Sequence, residues 1–227
     1  MGKHLKVKVW GDWACFSRPE MKVERVSYEV MTPSAARGVL EAIFWKPAFQ
    51  WRVRKIHVLN PIRRMSLRRT EVNSKPSFNR DRSIKESVVP SRTRRNTLAL
   101  REVAYLIEAD VHLVGYGKDE HPAKYRDQFR RRVKRGKCFR RPYLGCREFA
   151  ARFSEPGEDG EKDAINRSED LGRMFFGWRY DENYASAGVD PDEDYIFSDE
   201  AKPVFFDARL EDGTLIVPEK YDELKPR

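Results

Sequence analysis

Apolar and polar residues alternate near the start of the chain: Leu5, Val7 and Val9 fall on one side, Lys6, Lys8 and Trp10 on the other. A period of two marks a half-buried strand, so a first strand is predicted here, ended by Gly11-Asp12. Helical spacing follows. Thr32 is placed to cap a helix opened by Pro33, where a missing backbone donor costs nothing. Val39, Leu40, Ile43 and Phe44 supply its apolar stripe, and Lys46-Pro47 stops it after about Trp45. Phe49 to Leu59 returns to alternation, with Trp51, Val53, Lys55 and His57 against Arg52, Arg54, Ile56 and Val58. Leu100 to Val114 predicts a long strand with Val103, Tyr105, Ile107, Ala109, Val111 and Leu113 on one side. Pro122 then opens a second helix, closed by Gly136, with Phe129 and Val133 four apart as its core anchors. A fourth strand is expected within 147–153.

This order predicts an α+β protein: a ferredoxin-like, RRM-type βαββαβ domain over residues 1–154. Residues 62–98 interrupt it. They are arginine-rich, poor in apolar residues and punctuated by Ser, Asn and Pro, so they cannot bury themselves. They are read as a basic insertion, either a protruding hairpin or a loop that orders on nucleic acid. After a Gly- and acid-rich stretch at 155–170, strands are expected near 173–180 and 203–217. Asp212-Gly213 marks a hairpin turn between the last two, and residues 171–227 are read as a small antiparallel β domain.

Charge sharpens the picture. The 227-residue chain is 40% hydrophobic and carries a net +9, unevenly spread. Residues 52–101 hold 15 Lys/Arg against 3 Asp/Glu, and residues 118–147 hold 12 against 3. Residues 155–227 reverse the balance, with 9 against 21. Concentrated positive segments point to a polyanionic partner, and arginine suits bidentate phosphate contact and base stacking better than lysine does. The candidate RNA contacts in the insertion are Arg63, Arg64, Arg68, Arg69, Arg92, Arg94 and Arg95. On the second helix they are Arg126, Arg130, Arg131, Lys134 and Arg135. The acidic C-terminal part is expected to face solvent or a protein neighbour.

Other chemistry is sparse. Cys15, Cys138 and Cys146 are too few for a disulfide framework or a zinc site and are read as free core thiols. His4, His57 and His112 lie on separate strand patterns and form no ligand set, so no metal and no cofactor is expected. No stretch approaches the ~20 apolar residues of a membrane span. Met1-Gly2-Lys3-His4 runs straight into a strand pattern rather than a secretory leader, so a cytoplasmic protein is expected.

Several longer segments carry a specific resemblance. They are Val9-Trp10-Gly11-Asp12-Trp13-Ala14-Cys15-Phe16-Ser17-Arg18-Pro19-Glu20 and Ser27-Tyr28-Glu29-Val30-Met31-Thr32-Pro33-Ser34-Ala35-Ala36-Arg37-Gly38. Ala42-Ile43-Phe44-Trp45-Lys46-Pro47, Phe129-Arg130-Arg131-Arg132 and Arg141-Pro142-Tyr143-Leu144-Gly145-Cys146-Arg147-Glu148-Phe149 continue the match. Over about residues 5–153, and more loosely through 203–217, the chain resembles the CRISPR-associated family-five protein of type I-C systems. The resemblance implies a ferredoxin-like RNA-recognition domain followed by a small β-rich domain. It also implies an endoribonuclease that cuts the CRISPR repeat transcript beside a hairpin. Such a protein then stays on the 5′ handle of the guide RNA, among the large and backbone subunits of a surveillance complex.

That cut requires no metal: a 2′-hydroxyl attacks the adjacent phosphate in line, leaving a 2′,3′-cyclic phosphate and a 5′-hydroxyl. A base, an acid and positive charge on the phosphorane assist it. The family's active residues are a Tyr or His ending the first helix and a Lys-His pair opening the second. Lys124 matches, whereas Phe44 and Tyr125 stand at the other two positions. Phe44 transfers no proton. Tyr125 can, if Lys124 lowers its pKa, and His121 offers a nearby imidazole. The departures open an alternative: a guide-RNA handle-binding subunit that does not cut.

Overall fold

The computed structural model describes residues 4–21, 23–72, 92–157, 163–179 and 202–218, apart from the side chains of Tyr116, Arg179 and Lys202. Among these residues the protein is mixed α/β, a curled antiparallel sheet with two long helices. The strands are β1 (Leu5–Ala14), β2 (Arg25–Val26), β3 (Phe49–Val58), β4 (Arg64–Val72), β5 (Arg92–Leu113), β6 (Arg152–Ser154), β7 (Glu169–Arg179), β8 (Lys202–Glu211) and β9 (Thr214–Ile216). The helices are α1 (Pro33–Ile43) and α2 (Pro122–Lys134). The sheet runs β6-β1-β5-β3-β9-β8-β7, while β2 and β4 pair with the amino-terminal half of β5. All pairs are antiparallel except the short β2–β5 contact.

Each helix starts where its cap dictates. Thr32 Oγ1 accepts the Ala35 amide at 3.3 Å, and Pro33 follows as the first helical residue. α1 ends at Ile43 rather than Trp45, because Phe44 turns to extended backbone and its carbonyl accepts the Trp51 indole N–H at 2.9 Å. α1 packs on β3 and β7, and α2 on β5 and β6. One continuous core results, joining Val9, Ile56 and Ile107 of the sheet with Leu40, Ile43 and Phe129 of the helices and with Met174 and Phe206 of β7 and β8. Burial of each such side chain is worth about 1.5–3 kcal/mol.

Three strand expectations change. β1 does not stop at Gly11-Asp12 but continues pairing to Ala14 opposite Leu100. Gly11 is a close-packing position there: a Cβ would lie 2.7 Å from Leu144 Cδ1 and 2.9 Å from the Ala150 carbonyl. In β3 a bulge between Val53 and Lys55 switches the alternation, so Trp51 and Val53 are buried before it and Ile56 and Val58 after it. β5 starts at Arg92 rather than Leu100, since its first eight residues pair with β4 without a continuous apolar face to announce them. Of the predicted insertion, 64–72 and 92–98 therefore form an antiparallel hairpin arm, and 73–91 lies outside the described residues. The fourth strand is confined to Arg152–Ser154, and the β8–β9 turn falls at Asp212-Gly213 as expected. Cys15 and Cys146 are buried free thiols, but Cys138 is exposed.

A polar cluster crosses the middle of the sheet. His57 Nε2 lies 3.0 Å from Glu108 Oε1 and its Nδ1 lies 2.9 Å from Thr214 Oγ1, which ties β5, β3 and β9 together. Lys6 Nζ completes the carboxylate's shell at 3.0 Å. Burial pushes the Glu108 carboxyl up, but hydrogen bonds from Lys6 and His57 outweigh it and hold the group below the ordinary carboxylate range. A depressed carboxyl stabilises the fold above its unfolded pKa, and that stability is lost as pH falls through the folded value. Glu108→Gln is therefore expected to cost about 1–3 kcal/mol at neutral pH. In thermal melts its gap from wild type should narrow steadily toward acid.

Candidate active site and nucleic-acid interface

The amino end of α2 carries the chemistry. His121 is the N-cap, and its Nδ1 accepts the Ala123 amide at 3.2 Å. This leaves the neutral ring's proton on Nε2, on an exposed side chain. Three residues on, Lys124 extends into solvent with its Nζ 2.8 Å from Glu120 Oε2. The same oxygen accepts the Tyr125 hydroxyl at 2.6 Å. Lys124 Nζ also stands 5.4 Å from the centre of the Tyr125 ring. One carboxylate thus gathers an ammonium and a phenol at a helix start, the end of the helix dipole that favours negative charge.

Behind its hydroxyl the Tyr125 ring is buried among aromatics, 4.8 Å from Phe49 and 6.5 Å from Phe44. Phe44 is itself buried, with the Arg132 guanidinium 5.3 Å from its ring centre. Phe44, Lys124 and Tyr125 are therefore drawn together from two helices, with Phe44 as a packing wall. Glu120 escaped the sequence reading. Its signal was its place four residues before Lys124, the spacing and order that favour a Glu–Lys pair. Hydrogen bonds from Lys124 and then Tyr125 hold the Glu120 carboxyl below its ordinary range, and Glu120 in turn raises the Lys124 ammonium.

The arm sorts its arginines by face. Met65, Leu67, Arg69 and Glu71 are half-buried, whereas Arg64, Ser66, Arg68, Thr70 and Val72 are exposed. On the inner face Arg69 and Arg95 each lie 3.4 Å from Glu71, and Arg69 also pairs with Glu148. Arg25 joins the network, 3.4 Å from Glu71 and 3.6 Å from Glu148. Arg63 bonds Glu102 and Arg64 bonds Glu29 on exposed ground. Arg68, Arg92 and Arg94 point outward from the arm. On α2, Arg130 is 3.6 Å from Asp127, Arg131 donates to the Asp127 carbonyl, Arg126 is half-buried, and Lys134 and Arg135 are exposed. The candidate cations thus form two clusters, one ordered by strand pairing and one by a helix. Among the described residues no group of three or more His, Cys, Asp or Glu is arranged to hold a metal ion, and no helix is long and apolar enough to cross a membrane.

The fold and these clusters define a basic α/β protein with a lysine–tyrosine–carboxylate site at a helix start. A family model described as CRISPR-associated protein (Cas_Cas5) matches residues 4–218. A CRISPR pre-crRNA endoribonuclease Cas5d from Thermus thermophilus is 47% identical, over 97% of this chain and 94% of the relative. One of the same description from Mannheimia succiniciproducens is 39% identical over 98% of each. A solved structure of a CRISPR-associated protein superposes with a TM-score of 0.66 at 22% identity, covering 99% of this chain and 95% of its own. A functionally uncharacterized protein from Streptococcus mutans gives 0.62 at 20% identity, covering 96% and 93%. The chain belongs to the CRISPR-associated Cas5 family, in its Cas5d, type I-C branch.

If Glu120 is what raises the Lys124 ammonium, Glu120→Gln should return it toward the ordinary lysine range. A Lys 13Cε NMR titration would read this directly, and an unchanged Lys124 midpoint would discard the clamp.

Proposed function

We propose that the chain is an endoribonuclease that cuts CRISPR precursor RNA without a metal and keeps the product bound. The observation that carries this is the convergence of Lys124, Tyr125 and Glu120 on one point at the amino end of α2. The relatives described as pre-crRNA endoribonucleases align along nearly the whole chain and support the same reading. The strand order β6-β1-β5-β3, with α1 and α2 as the two connections, supports the ferredoxin-like description of the RNA-binding half.

In this mechanism the scissile phosphate competes with Glu120 for Lys124, and the ammonium then faces the charge that builds on the phosphorane. The Glu120 carboxylate, directly or through the Tyr125 hydroxyl, takes the proton of the attacking 2′-hydroxyl. The new O2′–P bond forms as the P–O5′ bond breaks. The Lys124 ammonium supplies a proton to the departing 5′-oxygen, and the His121 Nε2–H donates a hydrogen bond to a phosphate oxygen. A carboxylate held ionised is a weak base, which suits a slow cut by an enzyme that retains its guide RNA. The arm's Arg68, Arg92 and Arg94 grip the backbone, while Arg69 and Arg95 shape the arm from within.

A second reading rests on Phe44: at the third family position a buried ring exchanges no proton, which fits a handle-binding subunit that leaves cutting to another protein. One assay separates the two. Labelled repeat RNA should be cleaved in EDTA, and a single 2′-deoxy substitution at the scissile nucleotide should abolish the cut. Lys124→Ala and Glu120→Gln should each slow it about 100-fold, with affinity changed by less than about threefold. Tight binding with no product, in wild type and variants alike, would establish the second reading instead.

A further inference from the structure

The carboxyl end of α2 holds a surface that the cleavage site does not use. From Gln128 to Arg147 the chain has nine Lys/Arg and no acidic residue. Within it, residues 134–141 are exposed throughout, and Phe139 is 80% exposed, the most exposed large apolar side chain among the described residues. A lone exposed phenylalanine is ordinary. This one is held in place: its amide and that of Arg140 both donate to the Ala42 carbonyl, at 2.9 and 3.1 Å. The Arg132 guanidinium bonds the Ile43 carbonyl at 3.2 Å and fixes the same junction. Trp45, 45% exposed, leaves that end of α1 as well.

The surrounding cations differ from those inside the arm. Among the described residues no carboxylate lies within ion-pair reach of Lys134, Arg135, Lys137 or Arg141. Four cations within five residues of this open aromatic side chain, with no carboxylate in reach among the described residues, are poor terms for a protein core or for a neutral partner. They suit a single-stranded polyanion with flat bases, since phosphates take the charge and a base covers the ring. The site also lies within reach of the cleavage centre. The last turn of α1 touches both, holding Phe139 through Ala42 and packing the Phe44 ring 6.5 Å from that of Tyr125. α2 itself spans about 20 Å from the Lys124 end to the end that leads to Phe139.

We propose that Phe139 is a stacking platform for an unpaired RNA nucleotide, flanked by Lys134, Lys137 and Arg141 as phosphate contacts, on the strand that runs to Lys124. This rests on the reading of the chain as a binder of repeat RNA and adds a place where one unpaired base is seated. Phe139→Ala should weaken repeat-RNA binding about tenfold without changing the salt dependence. Phe139→Tyr and Phe139→Trp should retain wild-type affinity. Lys137→Ala with Arg141→Ala should instead flatten the slope of log affinity against log salt by about 1.4. Repeat RNA scanned with 5-iodouridine and irradiated should give an adduct at Phe139 from one unpaired position. Wild-type binding with Phe139→Ala inside twofold and no adduct would overturn the platform alone. So would Phe139→Ala that spares RNA but loses a protein subunit of the complex. Failure of wild type to bind repeat RNA at all would overturn both this and the parent reading.

Discussion

A strand of 22 residues, β5, carries backbone hydrogen bonds to β1, β2, β3 and β4. Two different tasks share that one backbone. Its carboxyl half pairs on both edges, with β1 and β3, and buries Tyr105, Ile107 and Ala109 under the helices. Its amino half runs on past the core to pair with β4. An isolated two-stranded hairpin is marginal in water, and the arm avoids that weakness because one of its strands is the stem of the central sheet. The cationic arm is thus held by the same ladder that holds the core.

Electrostatics in the arm follow from strand geometry. Alternation sends Arg69, Arg95 and Glu71 inward, where Glu148 and Arg25 meet them, and sends Arg68 and Arg94 outward. A carboxylate shared among several guanidiniums keeps like charges side by side without repulsion driving the strands apart. The result is an arm tied together by ion pairs on its inner face and cationic on its outer face. α2 does something comparable along its axis, with a carboxylate clamp at its amino end and, past its carboxyl end, cations that meet no carboxylate among the described residues.

In the proposed reading, the clamp at Glu120 also accounts for how the site would work with Phe44 and Tyr125 at two of its positions. Tyr125 keeps its ring in the aromatic core against Phe49 and its hydroxyl on the half-exposed Glu120, so packing and chemistry occupy opposite ends of one side chain. Phe44 completes that packing. In the proposed mechanism, residue 44 gives up proton transfer without a loss of shape, and the transfer falls to Glu120, Tyr125 and Lys124.

Much of the molecule was legible in its sequence because the signals are local. Thr32-Pro33 and Pro122 announced two helices, period-two runs announced the core strands, Asp212-Gly213 announced the last hairpin, and the long motifs announced the family. Segregation of charge was equally plain. Pairing across the chain was not. Gly11 read as a stop until Leu144 and Ala150 proved to be packed over it. Likewise, β5 was read eight residues short because its polar start takes its order from β4. Which arginines face outward, that Glu120 holds both Lys124 and Tyr125, and that Phe139 stands open depend on what lies opposite each residue. Periodicity reveals which side of a strand or helix a residue occupies, but its partner there comes from another part of the chain, and only the tertiary fold brings the two together.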